Sequence, residues 1–365
     1  MLKQHLEDKI MVIFTRTKRY IITSVLTFIA VTAIDSANVM ESTETTETFA
    51  SSESLKCAIM LDDGIYSNTG LNTGFNYELL QQFARNCRRN AEIVTAKKGE
   101  NYLDSLALGT VDIVVVKPET MQNGDNYTIS MKTSDNSAWA VKKGEIAKIK
   151  TVNSWIRHFE MTEEYELTEN RFFSSYSPSR ADAGIRSTRL SPYDSIIKKY
   201  ASEIGWDWRM LAAVIYQESR FSINSHSGKG ATGLMQVLPA TASYYKVHNL
   251  TDPEENIKAG THHLSRLQNM FRKSGMSKME KIKFTLAAYN AGEGRISDCR
   301  NLAESRGFDS NNWEEVTKVI PEMRSDDILE VECVKLGKFK GYETIKYVGS
   351  VMEIYDAFCT ICPKS

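Results

Sequence analysis

The chain lacks an excess of charge of either sign: 45 Lys and Arg stand against 46 Asp and Glu in 365 residues, a formal net charge of -1. Without a global field of one sign, the composition gives no reason to expect a nucleic acid as partner. A membrane-length apolar run is lacking too. The best candidate, Tyr20 to Ile34 within "RTKRYIITSVLTFIAVTAIDSA", is interrupted by threonines and falls short of the roughly 20 residues that span a bilayer. No H-E-x-x-H pattern occurs, and the adjacent His262 and His263 would point apart on a helix. No metal site and no cofactor are therefore expected. Nor does a cysteine follow the apolar run closely, which argues against a lipid anchor on Cys57.

What is present at the amino terminus reads as export. Arg16, Lys18 and Arg19 precede the apolar run, the order of a secretory leader, so residues 1–40 are expected to be a signal peptide or a membrane anchor. Cleavage near Ala37 competes with retention, because Asp35 sits where a small residue is preferred. Residues 41–54, "ESTETTETFASSES", have the composition of a disordered tether. The six cysteines, Cys57, Cys87, Cys299, Cys333, Cys359 and Cys362, are compatible with disulfides in an exported chain, with the pairing left open. The terminal "CTIC" lacks both a second metal pair and the following helix that would activate a thiol, so stapling is its expected role.

Two blocks follow. Residues 55–172 alternate strand-like and helical patterns: "LKCAIML", then "FNYELLQQFARNCRR" with Tyr77, Leu80, Phe83 and Ala84 at helical spacing, then "AEIVTA", "NYLDSLALGT", "VDIVVV" and "SAWAVKKGE". That alternation predicts an α/β sheet with packed helices. A Ser-, Pro- and Arg-rich linker is expected over 173–190, a helical block over 191–358 and a short tail over 359–365. In the helical block Ser191 is a natural N-cap with Pro192 behind it, and Tyr193, Ile197, Tyr200 and Ile204 make a stripe ending at Gly205. Asp207 is expected to cap the next helix, and Ser277 with Glu280 to form a capping box further on. The fold class is thus α+β in two domains, α/β in front and all-α behind.

One carboxylate stands out. Glu218 follows the apolar run "MLAAVIY" at the carboxyl end of its helix, where desolvation and the helix dipole both disfavour an anion. A purely structural acid there would need a partner. A proton-holding acid would suit general acid catalysis.

The loops around it hold four ordered motifs: "QESRF", "SHSGKGATGLMQVLPATA", "AAYNAGEGRI" and "GYETIKYVGSVMEIY". Over about 190–358 these resemble the lysozyme-like (goose-type) lytic transglycosylases, particularly the membrane-bound type with a solute-binding-like domain in front. Separately, "GFNYELLQQFA", "LALGTVDIVVV" and "AWAVKKG" resemble the periplasmic solute-binding fold. Only the stretch from Pro118 to Met131 stands where a whole second lobe would be, which implies a single lobe suited to docking envelope proteins rather than to closing on a ligand.

The resemblance to the transglycosylases implies cleavage of peptidoglycan glycan strands in the cell envelope or periplasm, possible membrane attachment, and Glu218 as sole acid and base. It implies a substrate-binding set of Ser227, Gly233, Leu234, Met235, Gln236, Tyr289, Asn290 and Tyr347, with Leu234 and Met235 as cleft wall or core. Tyr289 and Tyr347 would support a developing oxocarbenium ion or hold the Glu218 carboxyl. Ser219 and Glu343 are expected in support, Glu343 through a buried hydrogen bond that positions the Tyr347 helix. No second acid is evident among the motifs. A family member can dispense with one, because the C6 hydroxyl of N-acetylmuramic acid is the nucleophile. Hydrolysis and glycan binding without catalysis are the alternatives.

Overall fold

Five strands build one mixed sheet in the order β2-β1-β3-β5-β4: β1 Ser54–Met60, β2 Asn90–Thr95, β3 Ile113–Val116, β4 Tyr127–Ile129 and β5 Ala138–Lys142. The computed structural model describes residues 54–61, 70–97, 99–121, 126–174, 176–272 and 275–364. The expected leader and all but the last residue of the expected tether lie outside them. β1 pairs in parallel with β2 and β3, placing Cys57 opposite both Ile93 and Ile113, whereas β5 runs antiparallel to β3 and β4.

Side-chain alternation explains the apolar composition of the central strands. Leu55, Cys57 and Ile59 of β1 and Ile113 and Val115 of β3 face the helices Gly70–Asn86 and Ile146–Phe159. Ala58, Val114 and Val116 face the other way, toward Leu106 of the short helix Leu103–Leu108. With both faces covered, "VDIVVV" can be apolar throughout. The edge strand β4 was not expected within the stretch from Pro118 to Met131; three residues are too few to show alternation.

Helices make up the remainder: Asp194–Glu203, Trp208–Ser219, Pro239–Tyr244, Pro253–Met270, Lys278–Ala291, Glu293–Ser305, Trp313–Val319 and Tyr342–Ile361 are the main ones. The chain is therefore α+β. Among the described residues no helix is long and apolar enough to cross a membrane.

Several local expectations need correction. Ser191 caps a turn that precedes the helix: its hydroxyl accepts from Tyr193 N at 3.1 Å and donates to Asp194 Oδ1 at 2.6 Å. The capping box at Ser277 is half made. Ser277 Oγ accepts from Glu280 N at 3.2 Å, but the Glu280 carboxylate receives Trp313 N at 2.5 Å and Lys283 Nζ at 3.1 Å. The last helix runs on to the buried Ile361, so the expected tail is helical over its first three residues. The stapling expected of "CTIC" is not made either. All six cysteines are free thiols, and burial pushes Cys359 and Cys362 above the usual thiol range.

The sheet region and the helical region share buried surface. Tyr77 OH donates to Asp252 Oδ2 at 2.9 Å, Asn249 Nδ2 donates to Ile93 O at 3.2 Å, and the rings of Phe172 and Tyr193 meet edge-on at 6.0 Å. The stretch expected as a linker is tied down as well, with Ser187 N donating to Ile361 O at 2.9 Å.

Candidate active site

The helix that carries Glu218 begins where Asp207 accepts Arg209 N at 3.0 Å. Two further bonds from the Arg209 guanidinium hold the Asp207 carboxyl down at about 2. Every residue from Arg209 to Ile215 is buried, so the helix passes through the core. It stops just past the acid because Arg220 and Phe221 both take left-handed backbone angles, φ 52° and 66°. Such a pair of non-glycine residues needs support from its surroundings. Phe221 has it: its fully buried ring meets Tyr216 at 5.6 Å and stacks on Phe358 at 6.4 Å.

This stop leaves Glu218 at a helix end, half-buried, with an approach from solvent. Its Oε1 accepts from Tyr347 OH at 2.6 Å. Burial raises the carboxyl to about 7, and the Tyr347 hydrogen bond restrains that rise by favouring the anion. Among the described residues, no second acidic group contributes to the shift. Tyr347 is itself pushed well above the usual phenol range, by burial first and then by the Glu218 charge, so it stays a donor.

Tyr347 belongs to the helix Tyr342–Ile361, whose first turn is tied by Thr344 Oγ1 donating to Asn290 Oδ1 at 2.9 Å. Thr344 therefore does what was expected of Glu343. Glu343 is exposed, because one residue before Thr344 on a helix means a turn of about 100° away from the face shared by Thr344, Tyr347 and Val348.

The segment Gly233–Gln236 lies across from the acid. Ser219 Oγ donates to Leu234 O at 2.8 Å, and Tyr289 OH donates to Met235 O at 2.7 Å. Tyr289 thus bonds backbone rather than Glu218, although burial and the nearby Glu218 charge raise its pKa well above the usual range. The Leu234 and Met235 side chains are fully buried, so any contact they make with a substrate is through the backbone; the core half of their expectation is the correct one. Gln236, at φ 49°, directs Nε2 to Ser225 O at 2.9 Å and Gly233 O at 3.0 Å. Both its amide hydrogens are used, leaving Oε1 as an acceptor. Ser227 is exposed; its Oγ accepts from Ala231 N at 3.0 Å and Lys229 N at 3.3 Å, and its own hydrogen remains available.

His263 was missed as a site residue. Its ring lies 5.5 Å from that of Tyr289, and nothing in the spacing of the two residues announces the contact. His262 turns away to Glu203 at 3.5 Å.

A half-buried acid with a raised pKa, held by a phenol beside the segment Gly233–Gln236, has the parts that general acid chemistry needs. Residues 195–312 match the family model described as the Transglycosylase SLT domain. The chain is similar to the membrane-bound lytic murein transglycosylase F of Desulfosudis oleivorans, 31% identical over 224 residues, covering 60% of this chain and 49% of the relative. It is also similar to the protein of that name from Stutzerimonas stutzeri, 28% identical over 260 residues, covering 68% and 53%. The chain spans about half the length of these relatives. Among solved structures, the 70 kDa soluble lytic transglycosylase of Escherichia coli aligns with 58% of this chain and 33% of its own at 23% identity and a TM-score of 0.32, too low to bear on the reading. Tyr347 lies beyond the matched 195–312, and its place in the site rests on its bond to Glu218.

Proposed function

We propose that the chain is a peptidoglycan lytic transglycosylase, cleaving the β-1,4 bond between N-acetylmuramic acid and N-acetylglucosamine and leaving 1,6-anhydromuramic ends. The observation that carries this reading is Glu218: an acid raised to about 7, whose proton affinity is set by burial and Tyr347 and, among the described residues, by no neighbouring carboxylate. Retaining glycosidases hold their second acid about 5–5.5 Å away, within the reach over which one charge raises the other's pKa. A single acid suits a reaction in which the substrate brings its own nucleophile.

In that reaction protonated Glu218 gives its proton to the glycosidic oxygen as the bond to the anomeric carbon breaks. The muramic C6 hydroxyl closes onto that carbon, and the Glu218 carboxylate removes the hydroxyl proton, restoring the acid. A pKa near the working pH serves both halves. The Tyr347 hydroxyl, bound to Oε1, leaves Oε2 to carry the proton toward the substrate and steadies the anion between the two steps. In this reading Ser227 would donate to an N-acetyl carbonyl, Gln236 Oε1 would accept from a sugar hydroxyl or amide, and Tyr289 and Asn290 would flank the bound glycan.

The relatives' name, membrane-bound, supports a place in the cell envelope. We read the sheet region as a single-lobe, solute-binding-like domain whose free surface serves envelope protein partners. Digestion of purified peptidoglycan in heavy-oxygen water tests the reaction. Anhydro ends without label are expected, whereas labelled reducing ends would replace the reading by hydrolysis.

A further inference from the structure

Resting on that proposed reaction, we propose that Asn256 is a positioning residue for it, fixing the segment that receives the Tyr289 hydroxyl beside Glu218. Asn256 sits in the first turn of the helix Pro253–Met270, a place where an amide usually meets water, yet it is 1% exposed. Its Oδ1 accepts Met235 N at 2.8 Å, and its Nδ2 donates to Thr232 O at 2.9 Å and Leu250 O at 2.7 Å. One N–H at one end and two carbonyls at the other fix which way the amide points.

The surroundings are shaped to this amide. Gly233 has φ +79°, and a Cβ there would stand 2.2 Å from Asn256 Nδ2. One turn further along the same helix, a Cβ on Gly260 would stand 2.5 Å from Met235 Sδ. A single helix face therefore holds Met235 by its backbone and seats its side chain. On the far side of the segment, the carbonyls of Leu234 and Met235 receive Ser219 Oγ and Tyr289 OH, from the two helices that bring Glu218 and Tyr289 together. Movement of the amide is passed across Met235, from its N–H through its Cα to its carbonyl, and so to Tyr289.

Asn256→Asp keeps an acceptor for Met235 N but sets a carboxylate oxygen against two carbonyl oxygens. Purified full-chain parent, Asn256→Asp, Tyr289→Phe and the double variant are compared for kcat and KM on peptidoglycan, with melting checked in each. Asn256→Asp is expected to lose about 10- to 100-fold in kcat with KM little changed. The double variant should be no worse than the poorer single one, since both act through one contact. Losses that multiply would overturn the proposal. Tyrosine labelled at Cζ gives a readout independent of turnover: the Tyr289 resonance, assigned by its absence from Tyr289→Phe, should move in Asn256→Asp. An unmoved resonance overturns the proposal even if the parent cleaves nothing, and a parent that cleaves nothing refutes the reaction alone. Should the Asp variant fail to fold, Asn256→Ser is read by the same resonance with the same two outcomes.

Discussion

Two polar sites in this molecule are built on opposite plans. In the sheet region, the fully buried Asn76 donates to Asp135 Oδ2 at 2.7 Å and Asn72 O at 3.0 Å and accepts from Trp139 Nε1 at 3.3 Å. Asp135 Oδ1 in turn accepts from Thr133 Oγ1 at 2.6 Å and Ser137 N at 3.2 Å. In the helical region, Glu218 has apolar packing and one phenol. A satisfied network rigidifies the fold and leaves its groups little to offer a substrate. An acid left short of partners keeps its proton, and that proton is what bond cleavage consumes.

The sharpest way to break this comparison is Glu218→Gln. The amide fits the same space and cannot protonate a leaving oxygen, so cleavage should fall at least about 10²-fold with the fold intact. Muropeptide release by a well-folded variant at the parental rate would remove the acid from the mechanism.

Among the groups that touch the acid, Tyr347→Phe should have the next largest effect. It deletes the bond that restrains the Glu218 pKa, so the basic limb of the rate profile should move to higher pH while the maximal rate falls about 10-fold. In Tyr289→Phe the basic limb should stay in place, since that hydroxyl bonds Met235 O. Rate against pH for both variants decides between the tyrosines.

Stability carries the same signature. The Glu218 carboxyl is raised in the folded state from about 4.5 to about 7, so folding favours the protonated form. Its stabilising contribution is full below the unfolded value and is lost as pH climbs through about 7, roughly 3 kcal/mol for a shift of this size. Glu218→Gln should lack that slope and be more stable than the parent at about pH 8, as measured by denaturant unfolding at several pH values. Matching slopes would mean the acid is better solvated than its packing implies. The smallest effect is expected for Asn76→Ala, a loss of about 1–3 kcal/mol with kcat unchanged, because it opens only the satisfied network.

Glu218 was legible in the sequence because its environment is local: the apolar run, the acid and the helix end are contiguous. Four of the five strands of the sheet were legible for the same reason, through alternation and apolar runs, and the three-residue β4 was not. What stayed hidden depends on rotation and long-range contact. Glu343 and Thr344 are neighbours in one motif, yet only Thr344 faces Asn290. Gln236 read as a sugar ligand, but both its amide hydrogens turn back to its own loop. The capping box at Ser277 gave way because Glu280 found a better donor in Trp313, far along the chain.

The bond between Tyr347 and Glu218 joins groups 129 residues apart. A ribosome that has just released the acid has yet to make the phenol that steadies it, and also Phe358, which stacks on the turn that ends the acid's helix. The contact is therefore a record of completion. A chain cut before Tyr342 would carry the acid without the hydroxyl that orients it, so a Glu218 carboxyl held in one orientation arrives only with the helix Tyr342–Ile361.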